Sequence, residues 1–122
     1  MKILLMLALL MALPPLSPST REKQAVIIAT GTVVTQTEKV ETADNGSNSV
    51  YTVQFAPDRV IKGKAPSNLS FTYWQPKKRP QGWAGPQGQN SALSKGQKAT
   101  VFLTGDEKGY RLLEPNGWDP VR

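Results

Sequence analysis

The chain has 122 residues, 39% of them hydrophobic and 20% charged, and its 15 Lys and Arg against 9 Asp and Glu give a net charge of +6. It contains neither cysteine nor histidine. Disulfides, thiolate and imidazole metal ligands, and Ser-His or Cys-His nucleophiles are thereby excluded, and the length supports one small domain held by its core alone.

Met1-Lys2 gives a short positive start, and Ile3 to Leu13 is an uninterrupted apolar run. That run suits a signal peptide and falls well short of the ~20 residues that span a bilayer. Pro14, Pro15 and Pro18 then break any helix, and small residues at Ser17 and Ser19 predict cleavage after Ser19 or Thr20. The alternative is a short uncleaved anchor. No cysteine follows the run to carry a lipid. The expected organisation is a signal peptide over 1–19, a short N-terminal segment over 20–24, a barrel domain over 25–113 and a tail over 114–122. Such a chain is exported to the periplasm, cell surface or extracellular space, with no transmembrane segment after cleavage. Loss of Lys2 leaves 14 Lys and Arg against 9 Asp and Glu, a net charge of +5.

Beyond the signal, apolar residues keep a period of two and turn residues punctuate them at short intervals. Ala25 to Thr35 predicts a long first strand, with Gly31 marking a bulge or bend. Glu38 to Ser49 is polar, holds the turn signal Asp44-Asn45-Gly46, and reads as a loop. Tyr51, Val53 and Phe55 alternate with Thr52 and Gln54 in a second strand. Pro57-Asp58 interrupts it before Arg59 to Lys62 resumes. Leu69, Phe71 and Tyr73 define a third, Val101 and Leu103 a fourth, and Tyr110 to Leu113 a fifth after the turn Gly105 to Gly109. No stretch has convincing helical periodicity. The fold class expected is all-β, a small five-stranded OB-like barrel with little helix.

Pro76 to Lys95 joins strands three and four and reads as a long irregular loop, a feature that is usually functional or disordered. Lys77, Lys78 and Arg79 open it and Trp83 lies in its middle. With Lys62, Lys64 and Trp74 they form the candidate binding set, a mixture of cations and stacking rings of the kind that holds single strands or other polyanions. The plain alternative is a solvated basic turn whose tryptophan caps the barrel. The acidic residues fall mostly in turns and tails, and adjacent Ser94 and Lys95 on a strand face opposite ways. No catalytic constellation, cofactor or metal site is therefore expected. Trp118, a large ring in a polar tail rich in Pro and Gly, is expected to fold back over the barrel end.

Several segments in order resemble the netrin-like domain, which includes the tissue inhibitors of metalloproteinases: Ala25 to Val33, Tyr51 to Phe55, Arg59-Val60-Ile61-Lys62-Gly63, and Leu93 to Lys98 leading into Val101-Phe102-Leu103. The resemblance implies an OB-type barrel and a secreted, non-catalytic binding role. It transfers no inhibitory residue, because the zinc-directed N-terminal cysteine and the staples of that family have no counterpart here. The expected function is an exported binding module that engages another envelope or extracellular protein. The alternative is a polyanion binder using the basic-aromatic loop, with acidic polysaccharide or single-stranded nucleic acid as ligand.

Overall fold

The computed structural model describes residues 14–43, 46–79 and 87–121. A helix, α1 (Pro18–Gln24), precedes six strands: β1 (Ile27–Ala43), β2 (Gly46–Lys62), β3 (Leu69–Lys78), β4 (Lys98–Asp106), β5 (Gly109–Leu112) and β6 (Trp118–Pro120). The sheet runs β1-β2-β3-β5-β4 and closes through a β1–β4 pairing, with β6 added outside β4. The β3–β5 pair is parallel and the others are antiparallel. This is a closed five-stranded OB-like barrel with one extra strand.

Closure depends on the first half of β1, which has partners on both sides: β4 against Ile27–Thr32 and β2 against Ile28–Val33. Sharing one strand between two walls requires a tight bend, and register shifts against β2 fall at Ile28/Ala29, Thr30/Gly31 and Val33/Thr35. Gly31 sits at the bend facing Pro57, where a Cβ would come 2.2 Å from the Ala56 carbonyl oxygen. The backbones approach so closely that only glycine fits. Pro57-Asp58 does not end β2; the strand continues through it as a bulge, because Pro57 pairs with Gly31 and Arg59 with Thr30.

The period of two sorts the side chains as expected. Ala29, Val33, Val53, Phe55, Leu69, Phe71, Val101, Leu103 and Leu112 fill the barrel, with Phe55 and Phe71 edge to face at 5.8 Å. Each of the Val, Leu and Phe side chains among them contributes roughly 1.5–3 kcal/mol. The barrel mouth is closed by Leu93, 2% exposed, on the segment between β3 and β4. That segment is tied at both ends. Gln89 N–H donates to Trp74 O, and Gly96 N–H and Val33 N–H exchange bonds with Val33 O and Gln97 O. Gln89 itself is buried, donating its amide to Leu113 O and accepting from Gly117 N–H. Of the irregular loop predicted over 76–95, Pro76 to Lys78 belong to β3, and residues 87–95 form a structural plug that continues to Gln97.

Two departures come from short elements that carry no periodic signal. α1 is capped by Ser17, whose Oγ accepts from Thr20 N–H, and opens with Pro18 at its first position. Pro18 starts this helix rather than breaking one. β6 turns the predicted tail into a strand paired with Ala99–Val101, and Trp118 packs on the core and donates from Nε1 to Ser91 O.

α1 covers a second, smaller apolar cluster outside the barrel wall, made of Ala25, Ile28, Phe102 and Leu113 with Leu16 against it. Arg21 fixes the helix there: its guanidinium lies 3.9 Å over the Phe102 ring and forks onto Asp119 at 2.6 and 3.0 Å. Leu16 and Asn116 exchange two hydrogen bonds, backbone N–H to Oδ1 and Nδ2 to backbone O. Cleavage after Ser19 or Thr20 removes the helix cap and this pair. A chain starting at Arg21 should therefore be less stable to urea than one starting at Pro14, by about 1–2 kcal/mol for the lost cap and buried contacts. Equal midpoints would show that Leu16 and Ser17 are idle. Leu93→Ala in either chain should cost about 2–5 kcal/mol; a loss under ~1 kcal/mol would mean that the mouth is not closed by this side chain.

Candidate functional site

Past Val33 and Gln97, β1 leaves β4 and runs on with β2 alone as far as the pair Ala43 and Gly46. β3 continues beside β2 from Leu69 to Lys78. The outcome is a three-stranded extension of the barrel wall, where the sequence read a loop over 38–49. Its β3 side is covered by Gln89, which bonds Trp74 O and, through its carbonyl, the Gln75 side chain. Its β1 side is different: among the described residues β1 from Val34 to Ala43 pairs only with β2.

Antiparallel strands alternate residues that bond the partner with residues that face away. Ala43 and Gly46 flank a two-residue connection and so form a bonded pair. Glu41, Lys39 and Thr37 then share their parity and bond β2, leaving the N–H and C=O groups of Thr42, Val40, Glu38 and Gln36 directed outward. Val34 and Val40 on this edge are 48% and 49% exposed. An open edge of this length is a template for another strand.

One face of the extension is polar and built. Tyr51 and Tyr73 stack at 4.7 Å; Tyr73 Oη donates to Gln36 Oε1 at 2.7 Å and accepts from Leu93 N–H at 2.9 Å, while Gln36 Nε2 donates to Leu93 O. Burial pushes the Tyr73 hydroxyl up to about 12, against a smaller opposing effect of the Leu93 N–H. Beside it Ser49 Oγ donates to Glu38 Oε2. This network locks the plug to both β1 and β3.

The predicted binding residues are not brought together as one patch. Lys62, at the far end of β2, donates to the Glu22 carbonyl and anchors α1. Lys64 lines a shallow cleft with Asp106, Glu107 and Lys108 at the β4–β5 turn. At the opposite end of β2, Lys77 Nζ lies 3.8 Å from Glu38 Oε2 on the Tyr73 face. Arg79 instead lies 5.9 Å over the Trp74 ring on the other face and donates to Ser47 O and Asn48 Oδ1. Trp74 is half-buried and gives its Nε1–H to Glu114. Lys78 is exposed, and Trp83 lies outside the described residues.

The residues the sequence reading missed are Glu38 to Thr42. Their signal was the Thr and Val content of Thr35 to Thr42 together with the turn signal Asp44-Asn45-Gly46, which can join two strands as well as mark a loop. Among the described residues no group of three or more acidic side chains is placed to hold a metal ion, and no helix is long and apolar enough to cross a membrane. Comparison of the chain with protein-family models, curated proteins and solved structures finds no match.

The raised Tyr73 pKa fixes a sign for alkaline stability. The unfolded chain releases this proton near pH 10.0 and the folded chain holds it to about 12. The contribution is complete below pH 10 and falls away between the two values as pH rises. Urea midpoints should drop over that window, and Tyr73→Phe should flatten the drop while lowering stability at neutral pH by about 1–2 kcal/mol. An unchanged alkaline slope in Tyr73→Phe would contradict the assignment.

Proposed function

We propose that this chain is an exported, non-catalytic interaction module that engages protein through the open β1 edge of its extension. The observation that carries the reading is the run of outward backbone groups from Gln36 to Thr42, beside exposed Val40, on a stretch of β1 that among the described residues pairs only with β2. Strand addition supplies affinity through the main chain and leaves specificity to alternate side chains. Export rests on the apolar run Ile3 to Leu13 and on the small residues that follow it. The netrin-like resemblance, with its secreted binding role, agrees with this reading.

The polyanion alternative has less support. Its cations lie at opposite ends of β2 and on opposite faces of the extension, and Lys62, Lys77 and Arg79 are engaged within the chain.

A photo-reactive residue at Thr42 tests the proposal, with one at Arg59 as control and with Val40→Pro as the blocking change. Proline at 40 removes an outward N–H and leaves the β2 bonds of Lys39 and Glu41 intact. Exposure to an envelope extract should give defined protein adducts from Thr42, none from Arg59, and none from Thr42 when Val40→Pro is present. Adducts indifferent to that change would remove the edge from consideration. Steep salt-dependent retention on heparin, flattened by Lys77→Ala with Lys78→Ala, would favour the polyanion reading instead.

A further inference from the structure

We propose that the occupant of this edge is a second copy of the chain, paired β1 to β1, antiparallel, about a two-fold axis through Val40. The inference rests on the edge being a binding surface and adds its partner and register.

An isologous contact must be self-complementary: residue i faces j and j faces i. The outward parity of Glu38, Val40 and Thr42 permits a register in which Val40 meets Val40 of the second copy as a bonded pair and Glu38 meets Thr42. About six main-chain hydrogen bonds follow from those three pairs. The side chains then match on both faces. On the Tyr73 face the exposed Val40 residues cover one another. On the other face Lys39 stands opposite Glu41, twice, at the non-bonded positions where cross-strand side chains approach most closely.

The other registers centred from Thr37 to Glu41 fail on the same residues. Centring on Glu38, Lys39 or Glu41 sets that charge against itself. Centring on Thr37 runs the second copy into Val33, whose N–H and C=O already bond Gln97 and Gly96, and into Gln36, whose amide holds Leu93 O. Lysine on an edge ordinarily discourages pairing. Here its glutamate neighbour two residues on lets one register answer that charge and penalises the others. The extension also offers a firm platform, since Ser49 and Lys77 hold Glu38 and the plug holds Gln36 and Tyr73.

Sedimentation velocity of the chain from Pro14 onward should show a concentration-dependent dimer. Lys39→Glu and Glu41→Lys alone each place like charges opposite one another twice, and each should weaken self-association by about tenfold or more. Their combination in one chain inverts both pairs and should restore the dimer, and mixing the two single variants should give a heterodimer. The absence of cysteine supplies a positional check. Val40→Cys should cross-link to itself on oxidation, since a bonded antiparallel pair has its Cα atoms ~5.5 Å apart, within disulfide reach. Val34→Cys should not. A wild-type chain that stays monomeric at millimolar concentration, or a dimer indifferent to both charge reversals, would overturn the proposal. If a monomer still gives edge-dependent Thr42 adducts to another protein, only the self-pairing falls; if it gives none, the edge reading falls with it.

Discussion

Most of this structure depends on β1 serving two walls at once over its first half and, among the described residues, only one over its second. Between Ile28 and Val33 its backbone bonds β2 on one side and β4 or Gln97 on the other, and the barrel closes. The contact is so close that Gly31 cannot carry a side chain against the Ala56 carbonyl. Beyond Val33 the second wall ends and the strand does not. The closed core and the open edge are therefore consequences of one strand being longer than the barrel it closes. In a barrel, closure removes sheet edges; here the extension restores one.

The chain manages without disulfides through placement of a few polar groups at the barrel's ends. Tyr73, Gln36 and Leu93 form a closed circuit of three hydrogen bonds at the mouth. Gln89 joins β3 to the segment before β6. Arg21 joins α1 to Phe102 and Asp119. Buried polar groups satisfied in this way specify one arrangement more than they add net stability. They turn a stretch with little apolar content into a plug and a tail into a strand.

How much of this was legible follows from which residues face the core. Tyr51, Val53 and Phe55, then Leu69, Phe71 and Tyr73, then Val101 and Leu103, alternate because one face is buried, and the barrel could be read from them. Glu38 to Thr42 could not be read as a strand by that criterion, because both faces of the extension are wet there and the pattern loses its period. α1 is too short for periodicity, and β6 is held by pairing with β4 rather than by its composition. The basic residues were legible as charge. Their dispersal was not, since it depends on the length of β2 and on which face each position takes.

The change of β1 from doubly to singly paired past Val33 can be read by residue-resolved amide hydrogen exchange on a solution dilute enough to be monomeric. Every amide from Ala29 to Val33 should be protected, and beyond it protection should alternate: Thr37, Lys39 and Glu41 slow, Glu38, Val40 and Thr42 fast. Uniform protection from Glu38 to Thr42 in the monomer would mean the edge is already covered within the chain. Uniform exchange there would mean the extension is not a strand, and either result would contradict the account.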